Sequence, residues 1–292
     1  MNSSLPYLVF LFFIVACQPQ VNTVITAKFT NPNIGLEEML LAKEQVEKRL
    51  GNLKAMNSKV ELDEVSKTLQ FLSGNKVSVE QTRKFNSLFK KSKFEIRRTI
   101  DLNRHDLKDL ISSLPEIKGF KMADSAELSI ESSIVGYIDG EENEENTLHI
   151  LNRHFSVIED VKVMTLKSPN HNDRKSQLHL VNMSPTENYI TQSHITRAGS
   201  FKSEIDNSLQ VKVSLNHRGA KNLAQMTTIA SQNNNSSVAL LFNNQILSAP
   251  RVNGPITSGI ITIAYNGDKE EKIELGDILS MGPLSYDLEV VL

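Results

Sequence analysis

No tryptophan occurs in the 292 residues, and Cys17 is the one cysteine. A disulfide within the chain is therefore excluded, as is a zinc site built on several thiolates. The sequence also lacks any run of eighteen apolar residues, the length a helix needs to cross a bilayer. No charge of one sign dominates. The 32 Lys and Arg against 34 Asp and Glu leave a net charge of -2, which argues against nucleic acid as a partner. The nucleophile pattern Gly-X-Ser-X-Gly is absent, and no other serine or threonine stands beside a recognisable oxyanion loop, so no catalytic residue is assigned and an enzyme is disfavoured. The seven histidines are scattered. His149 and His154 are five residues apart, a step that does not bring two imidazoles onto one helix face. The acidic run from Asp139 to Glu145 lacks the alternating ligand spacing of a calcium loop and reads as solvated. Neither a metal nor a cofactor is expected.

What is present has the composition of an ordinary water-soluble globular protein, 39% hydrophobic and 23% charged. This length fills one large core or two modest ones, and two subdomains are expected. The most legible stretch runs from Leu209 to Gly259. Leu209, Val211, Val213 and Leu215 alternate with polar residues, the period of a half-buried strand. Asn216 then caps a helix whose apolar face carries Leu223, Met226, Thr227 and Ala230. Val238 to Phe242 is a continuous apolar strand, expected to be central with both faces buried, and Asn243-Asn244 turns it into Gln245-Ile246-Leu247. Ser248-Ala249-Pro250, Pro255-Ile256 and Gly259 follow as an irregular crossover.

Those residues carry a resemblance. The run Gly219 to Thr227, the strand Val238 to Phe242, Leu247-Ser-Ala-Pro250, Pro255-Ile256 and Gly259 are similar in order and gaps to the head of the large periplasmic domain of SecD, an accessory of the Sec export machinery. Glu270-Glu271, Leu275, Leu279, Gly282 and Leu284 resemble the helix and exit strand that close it. Two positions depart from the family, Asn243 where Asp is usual and Gly276 where Ala is usual. SecD-type proteins continue into membrane helices whose ionisable residues carry protons. With no apolar run of that kind here, the expectation is a base-and-head module that cannot itself pull with a proton gradient.

At the start, Leu5 to Ala16 is apolar apart from Pro6 and the Tyr7 hydroxyl, the length of a signal-peptide core. It ends in Ile14-Val15-Ala16-Cys17, which resembles the lipobox of bacterial lipoproteins. A thiolate is nucleophilic enough to take the diacylglyceryl group, so Cys17 is the expected lipidation site. Gln18 after it favours outer-membrane sorting under the enterobacterial rule.

Beyond the anchor, Val21 to Thr30 reads as a strand. A helix follows from Leu36 to Leu50, then short strands at Val60–Leu62 and Val65–Phe71, a helix at Val79–Phe89 and a strand at Phe94–Ile100. This order is the ferredoxin-like split unit, and it resembles the base of the SecD domain by pattern. From Leu102 to Ser184 only fragments are legible: a short helix at Asp106–Leu110, strands at Leu128–Ile138 and Val161–Leu166, and a polar loop at Ser168–Ser176.

The expected fold class is thus α+β, a ferredoxin-like base with an inserted α+β head. The divisions are a signal peptide over 1–16, the base over 17–101, a connector of open fold over 102–184, the head over 185–284 and a strand over 285–292. That last strand is expected to return to the sheet holding Phe94 to Ile100. Ser248, Ala249, Pro250, Arg251, Asn253, Pro255 and Ile256 are the candidate binding residues, because such a loop exposes backbone and a shallow groove to an extended polypeptide. The same residues also suit a tight crossover with no ligand. The functional expectation is a lipid-anchored envelope protein that binds unfolded polypeptide or a Sec or envelope partner. The alternative is a structural scaffold lipoprotein. An apolar groove on the head favours the first, a flat charged head the second.

Overall fold

A computed structural model of the chain describes residues 23–52, 58–74, 87–102, 105–123, 134–139, 143–167, 175–232, 237–265 and 267–291. The base begins with β1 (Thr23–Phe29), α1 (Leu36–Asn52), β2 (Ser58–Asp63) and β3 (Thr68–Ser73). Alternation in β1 sends Ile25, Ala27 and Phe29 inward and leaves Val24 and Lys28 exposed, so one sheet face is dry. Helix α1 covers that face with Met39, Ala42, Val46 and Leu50, at successive steps of three, four and four residues. Val65 lies in the β2–β3 turn, where it is 95% exposed, so the second of the two short strands begins at Thr68 and not at Val65. Most of the helix expected over Val79–Phe89 falls outside the described residues. Its last residues, Leu88 and Phe89, are buried in the base core.

The fourth base strand comes from the other end of the chain. β15 (Leu288–Val291) pairs antiparallel with β1, giving the order β15-β1-β3-β2 with every neighbour antiparallel. This is the 4-1-3-2 order of a ferredoxin-like sheet. The C-terminal strand therefore returns to the base, but the strand expected beside it does not belong there. β4 (Phe94–Arg98) pairs with β12 (Val238–Phe242) in a second sheet, in register from Phe94↔Phe242 to Arg98↔Val238. The physical reason is burial on both faces: Phe94 and Ile96 pack into the core around β12, while Glu95 and Arg97 are buried on the other side as an ion pair at 3.1 Å. A base strand has a wet outer face, and this strand has none.

The remaining elements form the upper body. They are α2 (His105–Ser112), β5 (Phe120–Met122), β6 (Ile134–Asp139), α3 (Glu144–Phe155), β7 (Val161–Lys167), β8 (Lys175–Asn182), β9 (Ile190–Thr191), β10 (Ile195–Lys202), β11 (Leu209–Leu215), α4 (His217–Gln232), β13 (Gln245–Ser248), β14 (Ile260–Ile263) and α5 (Lys269–Met281). The second sheet has eight strands in the order β5-β6-β8-β7-β13-β12-β4-β9, and β10-β11-β14 form a third. The acidic run resolves in part, because Glu144 and Glu145 open α3, where their charge suits the positive end of the helix. The eight-stranded sheet curls until Thr99 bridges Val181, with the Ile100 amide donating to Leu180 at 2.8 Å. β4, β12, β13, β7 and β8 thereby close on themselves around Met164, Val181, Ala239, Leu241 and Ile246. His179, alternating with Leu178 and Leu180, faces this interior and is fully buried.

β12 is flanked by β13 and β4, and its first four residues are buried, with Leu240 1% exposed. It is the doubly buried central strand the sequence pattern implies. Helix α4 buries Leu223, Met226, Thr227 and Ala230, and Asn216 caps it through Oδ1, which accepts the Gly219 amide at 2.8 Å.

Candidate functional site

The crossover after β13 is tied down along most of its length. The Pro250 carbonyl accepts the Val238 amide at 3.1 Å, and Arg251 bridges Ser237. Val252 is buried, and the Ile256 amide donates to Thr227 Oγ1 of α4 at 2.9 Å. Ser248 and Ala249 are half-buried, Ala249 against the barrel interior, and Ile256 packs on the core under α4. Pro250, Arg251, Asn253 and Pro255 remain exposed. The seven loop residues are therefore together, and the backbone of Ser248, Pro250, Arg251 and Ile256 is used in closing the fold. Cys17 lies outside the described residues.

A cleft of about 570 Å³ opens at the turn end of the same hairpin. Its floor is apolar: Leu166 from β7, Phe242, Ile246 and Leu247 from the hairpin, and Leu275 and Ile278 from α5. Its rim carries both signs of charge, Lys90 and Lys91 from the stretch before β4 and Glu271 and Glu274 from α5. Lys90 pairs with Glu274, and Lys91 with Asp287 at 2.8 Å. Tyr265 stands at the acidic end. Burial first, and then Glu271, Asp268 and Glu274, push its hydroxyl well above the ordinary tyrosine range, so it stays a protonated donor. The acidic end is held in shape by a capping box, in which Asp268 accepts the Glu271 amide at 2.8 Å and Glu271 accepts that of Asp268 at 2.9 Å.

Asn243 fixes the basic wall. It and Asn244 have φ of 49° and 65°, the left-handed pair that a two-residue hairpin turn requires and that Asn tolerates best after Gly. The Asn243 amide donates to the Lys93 carbonyl at 2.9 Å, and its Oδ1 accepts the Lys93 amide at 2.9 Å. Its Nδ2 donates to the Lys91 carbonyl at 3.2 Å. An aspartate cannot make that last bond, which gives a physical reason for Asn at this position. Gly276 has a similar reason. A Cβ there would stand 2.8 Å from the Ser200 amide nitrogen and 3.0 Å from the Gly199 carbonyl carbon, so α5 lies on the backbone of β10 too closely for alanine.

The local sequence pattern gives no sign of Lys90, Lys91, Tyr265, Glu271 or Glu274 as partners, because the cleft is assembled from stretches almost two hundred residues apart and each is unremarkable alone. Among the described residues there is no group of three His, Cys, Asp or Glu placed to hold a metal. None of the helices there is long and apolar enough to cross a membrane.

A ferredoxin-like base interrupted by a larger α+β insertion, with a cleft beside the hairpin of the inserted part, defines a two-part α+β module. Residues 164–286 of the chain are SecD-like: they match the SecDF P1 head subdomain. This match begins within β7 and so takes in β7 and β8 as well as the elements around β11 and α4. Over 92 residues the chain is 38% identical to the protein translocase subunit SecD of Acidaminococcus fermentans, covering 31% of this chain and 21% of that one. The chain thus spans about a fifth of the length of that relative. Among solved structures, a membrane component SecDF described as enhancing protein export aligns with a TM-score of 0.50 at 16% identity, over 92% of this chain and 98% of that one. SecDF in its super-membrane-facing form aligns at 0.52 and 16%, over 92% of this chain and 29% of that one. At this identity the likeness is one of fold.

Proposed function

We propose that the chain is a lipid-anchored, SecD-like protein of the bacterial envelope, non-enzymatic, that binds an extended polypeptide or an envelope partner at its periplasmic face and assists Sec-dependent export. The observation that carries this reading is the cleft. An apolar floor between a hairpin and a helix, with lysines and glutamates together on its rim and Lys90 paired with Glu274, suits a chain that offers alternating side chains and backbone polar groups. The exposed Pro250, Arg251, Asn253 and Pro255 supply a second contact surface beyond the other end of the hairpin. The Leu5 to Cys17 pattern supports the anchor.

The test uses photo-crosslinking side chains at Gln245, on the cleft, and at Arg251, on the loop, in living cells. Crosslinks to exported polypeptides at Gln245 are the expected result. Adducts only to one folded envelope protein at both positions would favour the scaffold reading, which the tied backbone of the 248–256 loop supports. The anchor is checked separately by radiolabelled palmitate, which should enter the wild-type chain and not Cys17→Ser. Absence of label from wild type would remove the anchor and leave the cleft reading standing.

A further inference from the structure

We propose that Arg49, a residue of the base helix lying outside the cleft, is the positioning residue that sets the cleft's width by tying two of its walls to one guanidinium. The consequence for binding rests on the cleft reading above; the mechanical role does not.

Arg49 is fully buried on the face of α1 that also carries Ala42, Val46 and Leu50. Its Nε donates to the Gly282 carbonyl at 3.0 Å. Nη1 lies 3.2, 2.8 and 2.7 Å from the carbonyls of Ser87, Leu88 and Lys90, and Nη2 donates to Ser92 Oγ. These partners belong to the two passages by which the chain leaves the base and returns to it. The passages are also paired directly, Ser92 and Leu284 exchanging backbone bonds of 2.9 and 3.3 Å.

Each passage leads into a wall. The first continues through Lys90 and Lys91, which form the basic rim. The second is the end of α5, whose Glu274 and Ile278 line the other side and whose C-cap is Gly282. A relay reinforces this wall: Ser92 Oγ donates to Gln192 Oε1 at 3.1 Å, and Gln192 Nε2 donates to the Ile278 carbonyl at 3.0 Å.

Stability alone does not account for a guanidinium here. A buried cation carries a large desolvation cost, and an apolar side chain of similar volume is commonly neutral or stabilising in its place. Burial accordingly lowers the Arg49 pKa to about 9, leaving it charged at neutral pH. Among the described residues its partners are carbonyls and a hydroxyl, so the position selects the planar fork and not a counter-charge. A lysine ammonium is a compact point charge and does not span the same oxygens.

The experiment places nitroxide labels at Lys91→Cys and Glu270→Cys, the latter exposed in the first turn of α5, in the full chain with Cys17→Ser, and reads the distance distribution by double electron–electron resonance. With Arg49 present, one narrow distance is expected. With Arg49→Lys or Arg49→Met, the distribution should broaden and gain a longer component. An unchanged distribution in folded Arg49 variants would overturn the proposal and leave Arg49 a core residue. If those variants do not fold, Gln192→Leu and Ser92→Ala replace them, with the same expectation and the same overturning result. Broadening together with no polypeptide crosslink at Gln245 of the wild type would sink the binding reading and keep the positioning role.

Discussion

Acidification should weaken this fold through one side chain. His179 is fully buried, and burial lowers its pKa from 6.5 to about 4. In the unfolded chain it titrates near 6.5, so between the two values the unfolded state binds the extra proton and is favoured as pH falls. Stability is complete above pH 6.5, declines toward pH 4, and suffers no further loss from this group below that. A gap of about two and a half pH units, each worth about 1.4 kcal/mol, amounts to about 3 kcal/mol, a large part of what holds an ordinary domain together. Urea denaturation followed by circular dichroism at pH 7.5, 6.5, 5.5 and 4.5 measures the loss. His179→Gln keeps a polar group of similar size but takes up no proton, and carboxylates titrating in the same range cancel in the comparison. The wild type should fall more steeply than the variant, by up to about 1.4 kcal/mol per pH unit. Parallel curves across the window would refute the assignment of the loss to His179.

Other outcomes follow from the close contacts described above. Gly276→Ala should cost about 1–3 kcal/mol, because the added methyl meets the rigid backbone of Gly199 and Ser200; a melting temperature equal to wild type would show that α5 has room to move. Gly199→Ala, with nothing within 4 Å of the added Cβ, is the control. Leu240→Asp places a charge in the doubly buried strand at a cost of several kcal/mol, so the protein should not accumulate in cells; normal soluble yield would contradict the burial. Replacing Arg251 and Asn253 together by Glu should leave the melting temperature nearly unchanged, since both are exposed, and should weaken crosslinking if the loop takes part in binding. Equal crosslinking in both proteins would reduce the loop to a crossover.

Much of the head was written locally. The 3.6 period put Leu223, Met226, Thr227 and Ala230 on one face of α4, and the apolar run Val238 to Phe242 announced a strand covered on both sides. Base strands β1 and β2 and helix α1 were equally legible, because each has one wetter and one drier face and the period records which, whereas β3 has no exposed residue and its start was misplaced at Val65. Partners were not legible. Phe94 to Arg98 alternates as a base strand would, and only the tertiary structure pairs it with β12, where Glu95 and Arg97 neutralise each other out of water. The return of the C-terminal strand to the base followed from the resemblance, but its neighbour there is β1, more than two hundred positions away, and not Phe94 to Arg98. The cleft depended still more on the fold. Pro and Gly punctuation drew attention to residues 248–256, since such residues mark where the backbone turns, and there the backbone does turn and is tied. The concave surface lies at the turn end of the hairpin, where Lys90, Tyr265 and Glu274 meet although nothing in their own neighbourhoods distinguishes them. Periodicity reports the environment of each residue, but a pocket is a relation among distant segments, and that relation exists only once long-range packing has brought them together.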